Sequence, residues 1–67
     1  MTNGVKALLA REEGKLVRQE ANHEATKVEQ EILGDNAVVR GKLERQVEAM
    51  KQTRANIKKL KAAADKL

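Results

Sequence analysis

The chain has 67 residues, 36% of them charged, a formal net charge of +4, and no Cys, Pro, Phe, Tyr or Trp. That length allows one small domain, residues 1–67. The missing cysteines exclude a disulfide framework, a thiol nucleophile and a thiolate metal site. Without aromatic rings there is no stacking platform for single-stranded nucleic acid, and no apolar run approaches the ~20 residues of a membrane span.

Met1–Gly4 reads as a short lead with Asn3 as the N-cap. From about Val5 to about Leu33 the residues are mostly Ala, Glu, Lys, Gln, Leu and Val, all usable in a helix. Gly34-Asp35-Asn36 is the only turn-like cluster: Gly34 suits the left-handed position after a helix, and Asp35 or Asn36 can cap the next one. A second helix is predicted from about Ala37 to about Leu67. The expected fold is all-α, an antiparallel coiled-coil-like hairpin about 45 Å long; the rival is a single kinked rod of about 100 Å.

Charge favours folding back. Residues 1–34 carry five basic and six acidic side chains, and residues 35–67 carry nine basic and four acidic ones. Antiparallel packing lays the weakly acidic arm beside the basic arm.

The second arm has one heptad seam. Leu43, Met50, Ile57 and Ala64 fall at a, with Val39, Gln46, Thr53, Leu60 and Leu67 at d. Gln46 and Thr53 are its polar interruptions, of the kind that fixes register at some cost in stability.

The first arm has two stripes. The small one, Ala7, Ala10, Gly14, Val17, Ala21, Ala25, Val28 and Ile32, is expected to pack closely against the second arm. The other holds Val5, Leu8, Leu9 and Leu16 and continues through Gln19, His23 and Gln30. A helix apolar on two sides is generally sandwiched, so this second stripe is expected to meet another chain. Sixteen large aliphatic residues follow Met1, a modest core for a chain without staples, and such scaffolds commonly oligomerise. A homodimer with a helical-bundle core is therefore expected, its self-association residues being Val5, Leu8, Leu9, Leu16, Val39, Leu43, Met50, Ile57, Leu60 and Leu67.

No catalytic, cofactor or metal constellation is expected. His23 is the only histidine, with Glu20, Glu24 and Lys27 at helical spacing, but general-base catalysis needs a walled pocket and a second organised group, and a metal needs three or four ligands. The glycines match neither a phosphate loop nor a dinucleotide fingerprint, and Gly34-Asp35-Asn36 lacks the further oxygen ligands of a calcium loop.

The stronger signal is basic charge on the second arm, in a sequence of pI ≈ 9.7. Arg40, Arg45, Arg54, Lys58 and Lys61 are the expected partner-binding residues, read from the heptad as one broad cationic flank with Lys51 and Lys59. The partner expected is a protein with an acidic or nucleic-acid-binding surface, which the chain modulates or blocks. A DNA- or RNA-binding accessory protein and a structural subunit are the alternatives, although no helix-turn-helix or basic-zipper pattern is present. A membrane-surface role is disfavoured by the absence of Trp and Phe. The first residues lack a signal-peptide apolar run, so a cytoplasmic location is expected. In size and style the chain resembles the very small helical proteins that phages and other mobile elements make to occupy a host protein's surface. That resemblance implies a regulator or inhibitor.

Overall fold

Two helices packed against each other make the molecule: α1, Thr2–Leu33, and α2, Ala37–Asp65. The computed structural model describes residues 2–66, with side chains from Gly4 to Lys66. Its extents of 49 × 14 × 12 Å are those of the hairpin and not of the rod.

The turn is built from local chemistry. Gly34 takes φ +84, and its N–H donates to the Gln30 carbonyl at 2.9 Å, closing α1 with a left-handed cap. Asn36 is extended (φ −143, ψ 162) and its side chain accepts from the Val39 N–H at 2.9 Å, which caps α2. Asp35 joins the two ends: its carboxylate accepts from Gln30 Nε2 at 3.2 Å and pairs with Arg40 Nε at 3.2 Å. At the other end the expectation fails. Helix α1 already includes Thr2, so Asn3 lies inside it and not ahead of it.

On α2 the heptad seam turns inward as read. Val39, Met50 and Thr53 are buried, and Leu43, Gln46, Ile57, Leu60 and Ala64 are partly so. Leu67 lies outside the described residues.

On α1 the two stripes exchange roles. Val5, Leu9, Glu12, Leu16, Gln19, His23, Thr26 and Gln30, spaced alternately by four and three, are the buried or partly buried face. The small stripe points away: Val17 is 67% exposed and Ile32 75%. The reason lies in the polar positions. Folding back at residues 34–36 brings Gln46 level with residues 23–26, where His23 and Thr26 offer hydrogen-bond partners and the small stripe offers only Ala25. An unsatisfied buried amide costs about 1–3 kcal/mol, which offsets the higher apolar count of the small stripe.

Most residues expected to join two chains are thus used within one. Val5, Leu9, Leu16, Val39, Leu43, Met50, Ile57 and Leu60 lie on the facing sides of α1 and α2. Leu8 stands at the margin, 49% exposed.

Candidate functional site

A polar layer crosses the middle of the hairpin. His23 Nδ1 lies 3.0 Å from Gln46 Oε1, Gln46 Nε2 donates to Thr26 Oγ1 at 2.8 Å, and the Thr26 hydroxyl donates to the Asn22 carbonyl at 2.9 Å. The directions follow one from another. Because the Thr26 hydrogen is committed to Asn22, Thr26 accepts from the amide, Gln46 Oε1 faces the imidazole, and Nδ1 carries the proton. This assigns His23 a role in helix register. The other buried threonine, Thr53, donates only to its own helix, to the Ala49 carbonyl at 3.0 Å.

Among the described residues no three of His, Asp and Glu come together to hold a metal ion, and no helix is long and apolar enough to cross a membrane. Toward the N-terminal end of α1 the seam opens into a groove of about 290 Å³ lined by Leu8, Glu12, Asn56, Lys59 and Leu60. Glu12 Oε2 and Gln19 Oε1 are buried on the inner face of α1 without a hydrogen-bond donor. The interface between the arms therefore combines apolar contact with polar positions only partly satisfied.

The cationic residues divide into three groups. Arg40 belongs to the turn, through Asp35. Lys51, Arg54, Lys58 and Lys61 are spaced by three or four and form one exposed stripe along α2, with Val47 (47% exposed) at its upper end. Among the described residues no carboxylate lies within ion-pair distance of these four. Arg45 and Lys59 stand apart from the stripe, beyond the row of Gly41, Glu48 and Ala55. Arg45 leans along its own helix, with a guanidinium nitrogen 3.6 Å from the Cβ position at Gly41. The broad flank read from heptad letters is thus narrower in space, because positions b and c are separated by f on the helix surface.

Ion pairing between the arms is slight. Lys42 Nζ to Glu29 Oε2 at 3.5 Å is the one interhelical pair among the described residues, and Lys27–Glu24, also at 3.5 Å, lies within α1. With both Lys42 and Glu29 substantially exposed, such a pair contributes about 0–1 kcal/mol. The charge asymmetry between the arms accordingly stays on the surface, available to other molecules.

What the surface offers, then, is a cationic stripe on α2, an apolar row on the outer side of α1, and an apolar tip where Ile32, Leu33 and Val38 are exposed beside the turn. No protein-family model, curated protein or solved structure matches the chain.

Proposed function

We propose that this chain is a non-catalytic binding protein, a helical hairpin that modulates or blocks another protein by laying the cationic stripe of α2 on an acidic or nucleic-acid-binding face. The observation that supports this reading is the stripe Lys51, Arg54, Lys58 and Lys61, exposed and without an ion-pair partner among the described residues. A charge row left unneutralised by its own fold steers an oppositely charged partner and sets its orientation. Arg54 supplies a planar fork suited to bidentate carboxylate recognition, and Val47 gives the stripe an apolar contact beside it.

Affinity capture from the native cell, with and without nuclease, tests the reading. The expected result is a protein retained after nuclease treatment and lost by the variant Arg54→Glu/Lys58→Glu, whose helicity should match that of the unmodified chain. Retention that disappears with nuclease and falls linearly with salt on logarithmic axes would transfer the stripe to nucleic acid. Retention unaffected by the double reversal would remove the stripe from the interface.

A further inference from the structure

Helix α1 has a second seam that the hairpin does not use. Ala7, Ala10, Gly14, Val17, Ala21, Ala25, Val28 and Ile32 recur at spacings of three and four on the side away from α2, and no charged residue interrupts them. The opposite side of α2 has no counterpart, since Glu48 stands there among Gly41, Ala55 and Ala62.

Three observations identify what covers this face. The first is area. The chain exposes 5179 Å², whereas a compact monomer of its mass exposes about 4,200 Å². The surplus of roughly 1,000 Å² is comparable to the ~800 Å² that each partner contributes to a standard stable interface. The second is Gly14. Glycine weakens the middle of a helix, and nothing in the hairpin lies within 4 Å of where its Cβ would stand. Packing of α1 on α2 therefore gives no reason for a missing side chain, whereas close approach of another backbone on the outer face does.

The third is charge. Around Gly14 the row is bordered on one edge by Glu13 and Glu20 and on the other by Arg11, Lys15 and Arg18; farther along, Lys6, Lys27, Glu24 and Glu31 share the first edge and Glu29 joins the second. The stretch around Gly14 matches itself better in one direction. Side by side in parallel about a two-fold axis, two copies set Glu13 of each beside Arg18 of the other; antiparallel about Gly14, Arg11, Lys15 and Arg18 of the two copies meet. We infer that the outer face of α1 is a self-association surface on which a second copy docks in parallel, Gly14 against Gly14 at the closest approach and Glu13 beside Arg18 of the other copy. This surface lies on the helix opposite the cationic stripe, so the failure of either reading leaves the other standing.

Sedimentation of the full chain at micromolar concentration should show a folded dimer. Val17 is already exposed in the hairpin, so Val17→Glu should keep the helicity and give a monomer. Gly14→Leu should raise helix propensity and yet weaken association by about tenfold or more, a split that a purely structural role for Gly14 would not produce. Oxidation of Ala10→Cys should give a covalent dimer, because only the parallel arrangement brings the two copies of residue 10 together. A folded monomer of the unmodified chain, a dimer that persists in Val17→Glu, or a dimer in which Cys substituted at position 10 does not cross-link would each overturn the inference. Should Val17→Glu also lose its helicity, charge reversal decides: Arg18→Glu should weaken the dimer, and adding Glu13→Arg should restore it. Absence of that restoration counts against the parallel pairing.

Discussion

Two threonines are buried in the hairpin, Thr26 at 4% and Thr53 at 1% exposure, and replacing each by valine should have opposite consequences. The Thr26 oxygen accepts the Gln46 amide at 2.8 Å, so Thr26→Val leaves that N–H without a partner in the seam. The lost bond and the stranded donor together cost about 1–3 kcal/mol, with the lower half of that range expected because Gln46 is only partly buried. For a domain of this size the midpoint of thermal unfolding should fall by about 5–15 °C. The Thr53 hydroxyl serves only the Ala49 carbonyl of its own helix, a bond that slightly disfavours the helix. Thr53→Val should therefore change stability by no more than about 0.5 kcal/mol or raise it. Adding Gln46→Leu to Thr26→Val removes the stranded amide, and the double variant should recover most of the loss, a coupling of about 1 kcal/mol or more. Far-ultraviolet circular dichroism is the suitable probe, since the chain contains no aromatic residue, and all variants must be compared at one protein concentration so that association does not enter the comparison. Equal effects at positions 26 and 53, or strictly additive effects at 26 and 46, would refute the cross-helix layer as the determinant of register.

The turn and the buried methionine give further tests. Gly34→Ala places a Cβ at φ +84 and should destabilise by about 1–2 kcal/mol, read as a lower urea midpoint; Asn36→Ala should cost about 1 kcal/mol through the lost cap, whereas Asn36→Asp should be nearly neutral. Met50, 4% exposed, is one of the few fully buried apolar side chains among the described residues, and Met50→Ala should cost about 2–5 kcal/mol, a loss visible as reduced helicity at room temperature. A helical signal unchanged by Met50→Ala would show that the seam on α2 does not carry the fold.

How much of this was legible in the residues can be seen element by element. The turn was, because Gly34 and Asn36 are each suited to one unusual task, a positive φ and an N-cap, and in a chain without proline nothing else competes for them. The inward face of α2 was legible too, since its other faces are interrupted by charge. On α1, by contrast, periodicity alone was ambiguous: two faces follow a three-and-four spacing, and apolar count favours the one that turns out to face outward. The information that resolves it sits in polar residues of both arms. Gln46 and Thr53 interrupt the seam of α2, while Gln19, His23 and Thr26 interrupt only one face of α1, and a hairpin closed at residues 34–36 brings Gln46 level with His23 and Thr26. Matching polar interruptions across the turn would have selected the correct face before any coordinates. The division of the cationic residues was not recoverable from heptad letters alone, because those letters record sequence order while the helix surface places f between b and c. The same geometry separates Arg45 from Arg54 and leaves Arg40 with Asp35 at the turn. What is left after these assignments is a helix with one apolar face used within the hairpin and one exposed, a pattern in which periodicity alone could not name the inner face.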